Sequence, residues 1–317
     1  MRPKIESLDL KKFHEVSDLQ GFLAVATTWA MITGSFALVA YLPNPITVLI
    51  ALVILGGRHL ALAILMHDAS HYSLFKTKKL NDWIGSWICS YPTWQDLKRY
   101  RKHHMDHHLY AGSEKDPDVS LVRGYPTTRA SMARKLFRDA IGITGLKRVY
   151  GLLLMDFGFI TYTASAESKR IPQEGRALSN VIATGIKNLY GVVITHLILY
   201  WILRASGHPH LYWLWVISYF TTFSVFVRIR SIAEHACLEM DLDPMKCTRT
   251  TYASPLARVT VAPHHVNYHL EHHLYMGIPS FRFPELHRKL KESGALKNAH
   301  IAQNYLQVLT LSSNPKS

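Results

Sequence analysis

Four apolar runs set the layout of this chain. Residues 22–42 carry no charged side chain, and residues 46–66 repeat the pattern with Arg58 and His59 as the only ionisable breaks. A third run covers 188–203 and a fourth 211–227. A helix of about 20 apolar residues spans the bilayer core, so each run is predicted to be a transmembrane helix. Pro43-Asn44-Pro45 and the stretch 204–210 read as the turns inside each pair. Ionisable side chains at membrane depth are normally buried against other helices or water, and packing is the reading for Arg58 and His59. Ahead of the first run, Lys4, Lys11 and Lys12 mix with Glu6, Asp9, Glu15 and Asp18 around Leu8, Leu10, Phe13 and Val16. That pattern over 1–20 predicts an amphipathic helix on the membrane surface. The run behind it is too long for the core of a signal peptide.

The rest of the chain is polar. Positions 73–176 are basic and aromatic, and their apolar pieces, 83–94 and 131–163, look interfacial rather than spanning. Arg228 and Arg230 close the fourth run, and a last helix is predicted over 284–293 with Gly294 behind it. Lysine and arginine gather in the N-terminus, in 73–176 and in the C-terminal region, while the two turns are nearly free of them apart from Arg204. By the positive-inside rule both termini are cytoplasmic. The expected fold is therefore an all-α integral membrane protein. Four transmembrane helices form two hairpins beneath a cytoplasmic helical cap, in a single domain over 1–317. The cytoplasmic regions are 1–20, 73–176 and 228–317.

Composition alters this picture little. The 317 residues are 48% hydrophobic with a mean hydropathy of only +0.03, so the spans share the chain with a large polar part. The formal charge of +14 fits contact with an anionic cytoplasmic leaflet. Nucleic acid is not an expected partner, because the basic residues flank apolar spans and no nucleic-acid module is legible. Cys89, Cys237 and Cys247 form no C-x-x-C and no disulfide framework.

The chemistry sits in the histidines. His67 and His71 form H-x-x-x-H at the end of the second run. His104, His107 and His108 form H-x-x-H-H, and His269, His272 and His273 repeat it. On a helix, residues three or four apart share a face, so each box aims several imidazoles at one point. Chance supplies roughly 0.07 such triplets in a chain of this histidine content, and two occur. Imidazole suits iron, zinc and copper. One tetrahedral zinc needs four ligands, so this many histidines argue for two metals. H-E-x-x-H and Glu-x-x-His are both absent, which leaves imidazole as the ligand type. With four spans all the boxes fall on one side of the membrane; three or five would separate them.

These boxes, in this order around two apolar hairpins, resemble the membrane fatty acid desaturase/hydroxylase superfamily. Arg101 to His108 with the trailing Asp116-Pro117-Asp118 resembles its second box. Asn267 to Tyr275 with Pro279 and Leu286-His287 resembles its third. The likeness covers roughly 46–295. It implies two iron ions, O2, a fatty acyl or other lipid-chain substrate, and a separate electron donor such as a ferredoxin, rubredoxin or cytochrome b5. It implies as ligands His67, His71, His104, His107, His108, His269, His272 and His273, with His235 just past the last span as a ninth. Ser231 stands where the acyl-CoA branch has an asparagine, one turn before that histidine.

His103 is an alternative ligand or a supporting residue, and His264 and His265 are supporting or loop residues. Asp68, Asp106, Glu234 and Glu271 adjoin the ligands and are natural acceptors for an outer imidazole N–H. His14, His59, His196, His208, His210, His287 and His300 read as ordinary. Three functions compete: a fatty acyl desaturase; a sister oxidation such as hydroxylation, ketolation or oxidative decarboxylation; and a non-enzymatic membrane metal-binding protein. Transport is disfavoured because the histidines lie outside the spans rather than near the midplane.

Overall fold

The computed structural model describes residues 10–165 and 167–314. The surface helix expected over 1–20 falls partly on residues 1–9, outside the described residues; beyond them a single helical turn forms, Leu10–Phe13. The next helix starts early because Ser17 caps it, its hydroxyl accepting from the Gln20 amide. This helix, α1 (Asp18–Tyr41), leads through a three-residue turn into α2 (Pro45–Ser70). The turn is a capping box. Asn44 Oδ1 accepts from the Ile46 and Thr47 amides, Thr47 Oγ1 accepts from the Asn44 amide, and Pro45 needs no partner at the first position.

α2 runs uninterrupted through Arg58 and His59, each of which is held in part by other elements. Arg58 Nη2 donates to the carbonyls of Arg258 (3.3 Å) and Val259 (2.8 Å). His59 Nε2 lies 3.1 Å from the Trp215 carbonyl and 3.2 Å from Ser218 Oγ. Gly56 and Gly57 permit this approach. A Cβ on Gly57 would stand 2.0 Å from the Val259 carbonyl, and one on Gly56 2.2 Å from Thr222 Oγ1.

The middle of the chain packs beside these helices. α3 (Leu97–Tyr110) is capped by Asp96, whose carboxylate accepts from the Arg99 amide. α4 (Arg129–Ala140) and α5 (Ile143–Asp156) divide the interfacial stretch. α6 (Leu178–Ala205) begins ten residues before the expected third span. Lys187 and Asn188 ended the apolar run, but neither breaks a helix, and Asn188 Nδ2 donates to the Asp156 carbonyl.

The fourth span departs furthest from expectation. It is two helices, α7 (Tyr212–Phe220) and α8 (Thr222–His235), broken at Thr221 (φ −106°, ψ −90°). Thr222 Oγ1 donates to the Leu52 carbonyl at 2.6 Å, seating the break against α2 at Gly56. Nor does the helix end at Arg228. Arg228 pairs with fully buried Asp139 of α4, and Arg230 Nε donates to Glu234 Oε1 at 2.6 Å. With both charges paired, α8 continues to His235.

Four helical stretches, Leu10–Tyr41, Pro45–Ser70, Leu178–Ala205 and Pro209–His235, are long and apolar enough to cross a membrane. Ile32, Phe36, Ala51, Leu55, Leu203 and Trp215 form their shared core. Among the described residues the fold is mainly helical, with a parallel two-stranded ribbon, β1 (Arg249–Thr251) with β2 (His300–Ala302), registered Thr250 to Ile301. The ribbon supports α9 (His269–Leu274). The Thr251 amide donates to the Asn267 carbonyl, and Asn267 Nδ2 donates to the Thr251 carbonyl. α10 (Phe283–Glu292), ending near Gly294 at φ +76°, covers the other side through Leu286 and Leu290, both 0% exposed.

Candidate metal centre

Histidine spacing divides the imidazoles into two groups. His67, His71, His104, His108 and His272 form one; His107, His235, His269 and His273 form the other. Within each group one ring nitrogen per residue lies within 4.8 Å of all the others. The division follows helical geometry. In α3, His104 and His108 are one turn apart and enter the first group, while His107 faces the second. In α9 the roles reverse: His269 and His273 enter the second group and His272 the first. Each H-x-x-H-H therefore contributes to both. His67 and His71 complete the first group from α2, and His235 completes the second from the end of α8. The groups adjoin, with the rings of His108 and His273 4.3 Å apart at their centroids.

The nitrogens are set for a cation. His67 Nε2 lies 3.0 Å from His272 Nε2, which is 2.9 Å from His108 Nε2, which is 3.0 Å from His104 Nε2. In the second group His269 Nε2 is 2.7 Å from His235 Nε2 and 3.1 Å from His273 Nε2. An ion about 2.1 Å from two nitrogens at right angles would hold them roughly 3 Å apart. Among the described residues, buried His71 Nε2 has no hydrogen-bond partner. The residues fit two metal ions.

Neighbouring acceptors fix which nitrogen carries the proton. His235 Nδ1 is 2.9 Å from the Cys247 carbonyl, which can only accept, so Nδ1 is protonated and Nε2 presents its lone pair to the group. Asp68 Oδ1 does the same for His67 Nδ1 at 3.1 Å, and Asp116 Oδ1 for His107 Nδ1 at 2.8 Å. Glu234 Oε1 stands 3.5 Å from His269 Nδ1.

Burial, followed by crowding among like rings, pushes His104, His108, His269, His272 and His273 well below the usual imidazole range, and His71 down to about 3. The shift favours the neutral ring, in which one nitrogen keeps its lone pair. His107 differs. Burial disfavours its charge, but the hydrogen bond to Asp116 and the nearby Asp118 and Glu234 outweigh burial and raise its pKa.

Several supporting residues lie elsewhere than the sequence suggests. Asp106 is exposed on α3, because the face that buries His104 and His107 turns it to the outside. The carboxylates behind the second box are Asp116 and Asp118, from the loop after α3. His103 is outside both groups, with Nε2 2.8 Å from Asp118 Oδ1. His265 is also outside, its Nδ1 3.0 Å from Arg258 Nη1. Glu271 meets no grouped ring. It accepts from Thr250 Oγ1 at 2.5 Å and lies 2.6 Å from His287 Nδ1, so it ties α9 to β1 and α10. His287, read as ordinary, is thus part of the anchor. The Cys247 carbonyl left no signal in the sequence, whereas Asp116-Pro117-Asp118 trailing the second box did.

A model of the family described as fatty acid desaturase matches residues 43–305. The chain belongs to the fatty acid desaturase family. It is 27% identical over 239 residues to dihydrorhizobitoxine desaturase of Bradyrhizobium elkanii, covering 73% of this chain and 64% of that protein. It is also 37% identical over 89 residues to beta-carotene 4-ketolase of Protosiphon botryoides, covering 27% of this chain and 22% of that one. The chain thus spans less than two thirds of the length of either relative. Both histidine groups lie within the residues that the family model matches.

Proposed function

We propose that this chain is an O2-dependent lipid oxidoreductase that holds two iron ions and inserts a C=C bond into a fatty acyl chain. The observation that carries the reading is the pair of adjacent imidazole groups, five and four strong, inside a desaturase-family chain. His67, His71, His104, His108 and His272 would hold one ion, and His107, His235, His269 and His273 the other. Iron so held supplies the activation of O2 needed to remove hydrogen from an unactivated methylene. Desaturation takes two hydrogen atoms, that is two protons and two electrons, from the chain. Two further electrons from an external donor and two protons from water complete the reduction of O2 to two molecules of water. The chain has no C-x-x-C and no dinucleotide loop, and a basic face suits an acidic donor protein such as a ferredoxin, rubredoxin or cytochrome b5.

The protein's own residues orient and exclude. Asp68, Asp116 and the Cys247 carbonyl hold three rings in the tautomer that faces inward. A lipid chain has an apolar place to lie: a cavity of about 230 Å³ among Trp29, Trp83, Trp87, Leu199 and Trp215. A second of about 120 Å³ shares Pro92, His196 and Trp215 with it. Outward-facing Leu49, Ile186, Leu197 and Trp201 suit contact with lipid. The charge distribution favours two transmembrane hairpins, cytoplasmic termini, a cytoplasmic cap carrying the histidines, and one domain over 1–317.

The test is analysis by gas chromatography–mass spectrometry of lipids from cells expressing the wild type beside a His272→Ala/His273→Ala variant. A new unsaturated acyl chain confined to the wild type is expected. A hydroxylated or ketolated product would move the protein to the sister chemistry, which the similarity to a ketolase makes the second reading. Membranes from wild-type cells that carry no more iron than the variant would overturn the metal assignment.

A further inference from the structure

A cavity lined by charged residues adjoins the five-membered histidine group, sharing Asp68 with it. It measures about 370 Å³ and is bounded by α1 (Gln20, Ala24, Thr27), by α2 (Arg58, Leu65, Asp68), and by the segments holding Arg258, His264 and Pro279. From Arg58 to Asp68 it follows α2 for about 15 Å, at 1.5 Å of rise per residue.

Arg58 is the anomaly. Its residue is 5% exposed, and among the described residues no carboxylate pairs with it. Its Nη2 is occupied by two backbone carbonyls and Nη1 faces Met31 Sδ at 3.4 Å, but buried Nε has no partner. A buried guanidinium without a counter-charge is costly, and this one borders an open volume. Two further observations point the same way. His264 and His265 are consecutive residues with left-handed backbone (φ 49° and 59°), a conformation that non-glycine residues seldom adopt and that gathers at ligand sites. It brings His264 Nε2 to Thr28 Oγ1 at 2.9 Å and His265 beside exposed Arg258, both histidines lining the cavity. Burial, with Arg58 nearby and despite Asp68, pushes His264 down to about 4, so the charged groups of the wall are Arg58, Arg258 and Asp68.

We propose that this cavity is an oxyanion site, in which Arg58, supported by Arg258 at the rim, receives the acid group of a compact ligand. Size limits the class. At about 30 Å³ per water-sized atom, the volume takes roughly a dozen non-hydrogen atoms, the bulk of a short acid. The site touches the five-membered group through Asp68 but uses none of the grouped imidazoles, so it is tested separately from the function proposed above.

The experiment is thermal unfolding of the full chain, purified in a neutral detergent with its metal, against hexanoate, hexyl phosphate and hexanamide. The two acids have the bulk of the site's capacity and differ in head group; the amide is the neutral shape control. At saturation an acid should raise Tm by about 2–5 °C and the amide by none. Arg58→Gln should abolish the shift and Arg258→Gln should reduce it. Arg58 also holds the Val259 carbonyl, so if its variant does not fold, the exposed Arg258 variant decides. Response to one acid only would support the site and identify its head group as carboxylate or phosphate. Equal response to the amide, no response to any of the three, or a wild-type response in Arg258→Gln together with folded Arg58→Gln would overturn it. The same series on metal-free protein should give the same shifts, which keeps the result independent of iron.

Discussion

The two imidazole groups are built from the same helices yet differ in how they are held. The group of five draws on α2, α3 and α9, and a carboxylate orients one of its rings, His67 through Asp68. The group of four draws on α3, α8 and α9. It is ringed by Asp116, Glu234 and the Cys247 carbonyl, and the raised pKa of His107 records the added negative field. The difference teaches where each site is vulnerable. The larger group has ligands to spare and sits at the end of a well-buried helix. The smaller depends on His235, carried by a helix that reaches it only because Asp139 and Glu234 neutralise two arginines.

The largest break in this comparison is His235→Ala beside His71→Ala. Losing His235 should leave three imidazoles, lower iron from two ions per chain to one and cut product formation by more than about 100-fold. Losing His71 leaves four and should keep iron closer to two. Elemental analysis of both purified variants checks this, and equal iron loss in the two would erase the distinction between the groups. Next in size is Asp139→Ala, which leaves Arg228 unpaired in a partly buried site. Destabilisation of about 3–5 kcal/mol is expected, read as a lower denaturation midpoint. Replacing both partners with apolar residues should restore most of it.

Smaller effects sharpen the picture. Asp116→Asn should weaken metal binding at the four-membered group by about 10–100-fold, and Asp68→Asn should do so at the five-membered group. Chelator competition, followed as stepwise iron release, would show which ion leaves first; the same order in both variants would mean that neither carboxylate acts locally. Smallest of all, Asp106→Ala should change stability by less than about 0.5 kcal/mol and leave iron content untouched. A loss of iron there would show that exposure misjudges its role.

Much of this site is legible in one dimension because its spacing is helical. H-x-x-x-H and H-x-x-H-H give the face each imidazole occupies, and eight of the nine grouped histidines stand in such boxes. Apolar runs likewise mark the candidate spans, since about 20 predominantly apolar residues in a helix are long enough to cross the bilayer core. His235 has no box, and only its resemblance to a family position singled it out. Boundaries suffered where polar residues found partners. Arg228 and Arg230 look like the end of a span, and nothing local reveals that Asp139, 89 residues away, pairs with one of them.

The sequence by itself determined the four apolar helices, the imidazole donor set and the prospect of two ions, because these rest on local periodicity and residue chemistry. The tertiary structure decided which histidines share a group, that Asp116 rather than Asp106 stands behind the second box, and that Glu271 binds His287 instead of a grouped ring. It also decided that the fourth span breaks at Thr221 against Gly56 and Leu52. Those outcomes depend on contacts between residues far apart in the chain, where packing and hydrogen-bond satisfaction override any local signal.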